Sequence, residues 1–177
     1  MKPSKPDPVK LFIGALYSEE ALLKQAVERC EQTFSPVDYR GRRFGFDVTD
    51  YYDEEMGSPI YRQFFSFRDL INPGHLARCK ILTNEIEQEL AVRGNRKVNL
   101  DTGYMDYHKV VLASAKYNGQ KIYLDHGIYA DPTLYYEKGT FHPAEWAFPD
   151  FKEIDRYYKD MLAIRKKYKS QRRNRIE

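Results

Sequence analysis

Nine consecutive positions, Val9–Tyr17 (VKLFIGALY), are almost all apolar. An unbroken apolar run of strand length predicts a strand buried on both faces, and therefore a central one. Ser18 is placed to cap the next helix, with Glu19 and Glu20 favouring its positive end. Leu22, Leu23, Ala26, Val27, Cys30 and Phe34 then recur at helical spacing, and Ser35-Pro36 stops the pattern. Arg43–Tyr52 and Tyr61–Phe67 read as aromatic-rich strands around a turn at Asp53–Pro59. Asn72 and Pro73 signal a second helix. Leu76, Cys79, Leu82, Ile86 and Leu90 form its stripe, Gly94 its stop, and Lys97–Leu100 a following strand.

The order to this point is β-α-β-β-α-β. It predicts an α+β fold with a ferredoxin-like core: a mainly antiparallel sheet with both helices on one face. A short helix at about Tyr107–Lys116 comes next, then strands at Lys121–Leu124, Ile128–Tyr136 and Thr140–His142 joined as hairpins through Asp125-His126-Gly127 and Glu137-Lys138-Gly139. Pro132 inside a strand implies an edge or a bulge. Pro143–Asp150 reads as an ordered loop, and Phe151–Lys169 as a basic amphipathic helix.

Composition adds constraints. With 177 residues, 42% of them apolar, the chain is expected to form one domain with a sizeable core. The net charge of +3 is uneven. Residues 165–177 hold seven cations against one carboxylate, a surplus of +6, so the remaining 164 residues carry −3. Cys30 and Cys79 fall on apolar helix stripes and read as buried free thiols. Residues 1–8 lack an apolar signal core, and no apolar run approaches the roughly 20 residues of a membrane span. The expectation is a cytoplasmic protein without membrane contact.

Several ordered segments are familiar together: Pro8–Gly14, Phe46–Tyr52 with Glu55-Met56-Gly57, Thr83–Glu87, Lys97–Tyr104, and Ile122–Leu124 with Gly127–Ala130. In order and spacing they resemble the prokaryotic family known as domain of unknown function 4416. The resemblance covers about residues 8–150 and leaves the basic stretch 151–177 outside. It implies no established activity. Some members carry a GTP-binding label, but this chain has no G-x-x-x-x-G-K-[ST] phosphate loop. Its Asn84-Glu85-Ile86-Glu87 is also not the Asn-Lys-x-Asp that reads guanine.

Two polar groupings are the candidate site. Asn99, Asp101, Gly103 and Tyr104, leading to Lys109, are expected where a strand end meets a helix start. Exposed backbone N–H groups there can hold a phosphate or carboxylate, with Lys109 as countercharge. Asp47, Asp50, Glu54 and Glu55 can hold Mg²⁺ or serve in acid–base work. Asp47 and Asp50 lie an odd number of residues apart, so on a strand they point to opposite faces. The four histidines show no ligand spacing for zinc. Leu11–Leu16 and Arg43–Phe46 echo the short motifs of RNA-recognition domains, but Asp47 and the acidic run after it would repel a phosphate chain.

The sequence therefore points to a nucleotide- or phosphometabolite-binding protein, with enzymatic activity left open, Mg²⁺ only if a nucleotide is bound and no cofactor otherwise required. The alternative is a nucleic-acid-associated module acting through the basic tail.

Overall fold

The computed structural model of the chain describes residues 1–174, with Ile154 described by its backbone alone. Arg175 and Glu177 of the basic tail lie outside the described residues. The elements run β1 (Val9–Tyr17), α1 (Glu20–Thr33), β2 (Val37–Arg40), β3 (Phe44–Gly45), α2 (Asp53–Met56), β4 (Tyr61–Ile71), a 3₁₀ turn (Pro73–His75), α3 (Leu76–Glu89), β5 (Val98–Met105), β6 (Lys109–Ser114), β7 (Ile122–Asp125), β8 (Ile128–Glu137), β9 (Thr140–Pro143), α4 (Pro149–Lys152) and α5 (Ile154–Arg173). They form a mixed α/β fold around one nine-stranded sheet of order β2-β4-β1-β5-β6-β8-β7, with β3 on β4 and β9 on β8. Every ladder between these strands is antiparallel.

β1 is central, as its apolar run requires, and all nine residues are buried. Alternation divides them between two cores. Leu11, Ile13, Ala15 and Tyr17 pack with Phe65, Phe67, Val98 and Leu100 against Leu23, Ala26, Val27 and Cys30 of α1 and Cys79 and Ile86 of α3. On the opposite face Phe12, Phe64, Met105, Val110 and Leu134 pack against Phe151, Tyr157, Met161 and Ile164. The last helix therefore covers the second face of the sheet. Tyr157, Met161, Ile164 and Tyr168 form its buried stripe, each 1% exposed or less.

Several expectations change. Residues 107–116 form no helix. Asp106 Oδ1 accepts from the backbone N–H groups of His108 and Lys109 at 2.7 and 2.8 Å and closes a tight β5–β6 turn. Lys109–Ser114 then leaves it as a strand, in keeping with the β-branched pair Val110-Val111. β5 runs on to Met105, so Asn99–Tyr104 is the body of a central strand and not its end. Of Arg43–Tyr52 only Phe44–Gly45 joins the sheet; Asp47 and Asp50 lie in the following loop, and residues 53–56 form a helical turn. Ser18 does not cap α1. Its Oγ donates to the Met56 carbonyl at 2.6 Å, and α1 starts without a side-chain cap. α3 stops at Glu89, before Gly94. Pro132 does sit at a ladder irregularity, as a proline within a strand demands.

Candidate functional site

β6 pairs with β5 only at Gly103–Met105 and then departs. A Cβ on Gly103 would lie 2.7 Å from both the Leu112 side chain and the Val111 carbonyl, so glycine is what lets the strands meet there. Beyond it the sheet forks. A forked sheet leaves backbone groups without ladder partners, and a buried one must be satisfied another way. α3 provides this for Leu100. Its Glu87 Oε1 accepts from the Leu100 N–H at 2.7 Å, and its Lys80 Nζ donates to the Leu100 carbonyl at 2.8 Å. Thr83 and Thr102 hydroxyls join at 2.7 Å just beyond.

The fork opens into a cleft of about 430 Å³. Asn99 and Asp101 of β5 line it with Arg62, Arg96, the α3 side chains Lys80, Asn84, Glu87 and Gln88, and Tyr52 and Phe148. The opposite wall is Leu112–Lys116 with Lys121 and Asp131.

Arg62 organises the floor. It projects from β4, on the same face as Phe64, and is 1% exposed. Its guanidinium crosses β1 above Gly14, where a Cβ would stand 2.9 Å from it, and reaches Asp101 Oδ2 at 2.7 Å. Asp150, fully buried, takes its other nitrogen at 2.9 Å. The rings of Phe46, Phe64 and Phe151 lie 5.3–5.9 Å from its charge centre. Burial works against the charged guanidinium, but Asp150 and Asp101 outweigh it and hold the arginine above its usual range. Arg62 Nε and Asp150 Oδ1 are buried without a hydrogen-bond partner among the described residues. The second oxygen of Asp101 accepts from Asn99 Nδ2 at 2.9 Å, so its carboxylate is aimed from both sides.

Arg96 fixes the neighbouring corner. It grips Glu55 through Nε and Nη2 at 2.7 and 2.9 Å and also reaches Glu87 and Asn99. The hydrogen bond from Arg96 holds the Glu55 carboxyl below its usual value, against the effect of partial burial. Burial pushes the Tyr52 phenol up to about 12, so it stays a hydroxyl at neutral pH. At the mouth Lys116 Nζ donates to Tyr51 Oη at 2.8 Å, and Lys121 approaches Asp131 at 3.4 Å.

Of the eight sequence candidates, Asn99 and Asp101 enter the cleft, and Glu55 stands behind it on Arg96. Gly103 is consumed by the β5–β6 contact. Tyr104 is half-buried against the small core of Leu76 and Val111. Lys109 is tied to Asp106 in the hairpin turn. Asp47 pairs with Arg156 at 2.9 Å, and Asp50 lies with it beside a separate surface hollow. The two groupings thus share only the Asn99–Asp101–Glu55 corner. Among the described residues no group of three or more His, Cys, Asp or Glu is placed to hold a metal ion. No described helix is long and apolar enough to cross a membrane.

Sequence reading missed Arg62, Arg96, Lys80, Glu87, Asp131 and Asp150. One signal was available for Arg62: in Tyr61–Phe67 it alternates with Phe64 and Ser66, so a charge falls on the core face of a strand. Such a charge requires a buried partner.

No curated protein and no solved structure was found to match the chain. The sequence does match the family described as Domain of unknown function (DUF4416) over residues 7–168. That match passes Asp150 and takes in most of α5, so the helix resting on Phe12 and Phe64 is part of the shared body rather than an appendage. The chain belongs to the DUF4416 family of domains of unknown function.

Proposed function

We propose that the cleft at the sheet fork binds a small polar metabolite with a planar ring, and that a nucleoside or nucleoside monophosphate is the class it fits best. Its volume falls within the roughly 300–1,000 Å³ of small-molecule sites. Phe148 (42% exposed) and Tyr52 offer ring faces, the amides of Asn84 and Gln88 can read base edges, and Asp101 and Asp131 can accept from sugar hydroxyls. Charge decides the phosphate number. Arg62, Lys80, Arg96 and Lys121 each already face a carboxylate. Lys116 lines the cleft and makes no ion pair among the described residues. One cation without a carboxylate partner suits one phosphate, not three, and needs no Mg²⁺ to offset excess charge.

The observation that carries this reading is the Asp101 carboxylate, presented to the cleft by Arg62 and Asn99. Thermal-shift titration with a nucleoside, its 5′-monophosphate and its triphosphate, each with and without Mg²⁺, tests it. The monophosphate should stabilise most. A ligand at 100 times its Kd adds about 2.7 kcal/mol. Asp101→Asn should weaken both nucleoside and monophosphate, and Lys116→Gln the monophosphate alone. No shift with any ligand, or shifts that both variants leave unchanged, would remove the proposal.

The strand order β2-β4-β1-β5, with α1 and α3 on one face, supports a ferredoxin-like core within the larger sheet. The second functional reading, a polyanion-binding tail, is favoured by one observation: Lys166, Lys169 and Arg173 are exposed around a hollow of about 210 Å³ on α5. Truncation at residue 165 is a poor test, because it also removes Tyr168, which is 1% exposed, and Arg172, which bonds Asp7 at 2.7 Å. Replacing Lys166, Lys169 and Arg173 by Glu changes the charge alone. Nucleic-acid binding that survives this triple change rules the tail out.

A further inference from the structure

We propose that β7 is a self-pairing edge, at which two copies of this chain join antiparallel about a two-fold axis through Tyr123 and continue the sheet across a dimer. β7 ends the strand order and, among the described residues, pairs only with β8, so its outer backbone groups face no other described strand. All four of its residues are exposed, with Ile122 at 62%, Tyr123 at 57% and Leu124 at 38%. Sheet edges are ordinarily guarded by a lysine, a proline or an inward charge. The first three of the four positions here are apolar or aromatic instead, and Asp125 is the fourth.

The register identifies the occupant. A two-fold axis normal to the sheet must pass through one residue of the edge, which then faces itself. Centred on Tyr123, the pairing sets Ile122 against Leu124 and Lys121 against Asp125 of the other copy. Centred on Ile122 it opposes Lys121 to Tyr123 and Gln120 to Leu124. Centred on Leu124 it opposes Ile122 to His126 and Tyr123 to Asp125. Only the Tyr123 register matches apolar with apolar and cation with anion, the combination that stabilises cross-strand pairs.

Lys121 faces Asp131 at 3.4 Å and also donates to Ser114 Oγ at 2.8 Å and the Lys116 carbonyl at 3.3 Å, so the second copy would bring a further carboxylate to the rim of a cluster already bonded on this side. Asp125 can supply it, since its side chain is 70% exposed and, among the described residues, its polar contacts lie within its own turn. Tyr123 also stacks edge-on with Tyr129 at 5.4 Å, and Tyr129 with Tyr117 at 5.6 Å. The axis would set two such clusters side by side. The ladder to β8 is irregular between Tyr123 and Asp125, which limits the regular edge and makes the association weak and concentration-dependent.

Sedimentation velocity across a wide concentration range should show monomer giving way to dimer, and Ile122→Lys should keep the chain monomeric with an unchanged fold by circular dichroism. The register is read by cysteine cross-linking. Directly opposed antiparallel residues have Cα atoms about 4.5–5.5 Å apart, within disulfide reach. Under oxidation Tyr123→Cys should link to itself. Ile122→Cys and Leu124→Cys should each remain unlinked alone and link when mixed. Native Cys30 and Cys79 are buried and do not compete. A chain that is monomeric at every concentration, a dimer that persists in Ile122→Lys, or equal self-linking at all three positions would overturn the proposal. None of these readouts depends on a ligand, so they stand apart from the fate of the cleft reading.

Discussion

Replacing Arg62 by Met removes the charge that two carboxylates share while keeping most of the side-chain volume. Asp150, 0% exposed, would then accept only from the Tyr157 hydroxyl at 3.1 Å. Asp101, 30% exposed on its side chain, would keep Asn99 and water. Breaking a buried ion pair from one side costs about 3–5 kcal/mol, because the remaining charge is stranded. The fully buried Asp150 places Arg62→Met in that range. Against a typical domain stability of about 5–15 kcal/mol this is a large share.

Lys109→Met is the control, since its partner Asp106 lies in a hairpin turn and Lys109 is 42% exposed. Exposed pairs contribute about 0.2–1 kcal/mol. Urea unfolding followed by circular dichroism, with the denaturant slope unchanged, gives both values. The double variant Arg62→Met, Asp150→Asn should regain part of the loss, because the stranded charge is gone. A loss below about 1 kcal/mol for Arg62→Met, or no recovery in the double variant, would refute the view that Arg62 balances a buried charge.

Glu55 has its carboxyl held below the ordinary value by Arg96, so its ionised form stabilises the fold. That contribution is present above the unfolded value of about 4.5 and is lost as pH falls through the lower folded value. Glu55→Gln should therefore lower stability at neutral pH and flatten the decline below about pH 4.5, measured as Tm against pH. Gly103→Ala drives a methyl against the Val111 backbone at 2.7 Å, where no flexible side-chain end can yield. It should cost about 1–3 kcal/mol in urea unfolding, whereas Gly119→Ala, with open space around it, should not.

Much of the chain's local organisation is legible from its residues. The apolar run of β1, the stripes of α1 and α3, the Asn72-Pro73 start and the Gly127 and Gly139 turns are short-range features. They rest on periodicity and turn chemistry, both written within a few residues. Both glycines adopt the positive φ that their hairpins need. The error at residues 107–116 is instructive for the same reason. Val110, Val111 and Ala113 suit either a helix or a strand, and the side-chain turn at Asp106 selects the strand.

The site was half legible. Asn99 and Asp101 share a strand face, and sequence spacing alone says so. What they face depends on register. Arg62 meets Asp101 across 39 residues only because Gly14 stands between them in the sheet, and Asp150 arrives from the segment leading into α5. The cleft exists because β6 leaves β5 after Gly103 and α3 takes over the Leu100 backbone. The sequence by itself determined the central strand β1, the helices α1 and α3 with their apolar faces, and the hairpin turns at Gly127 and Gly139. Tertiary structure decided where the sheet forks and which buried charges meet there, because an ion pair is set by distances through space that no local pattern encodes.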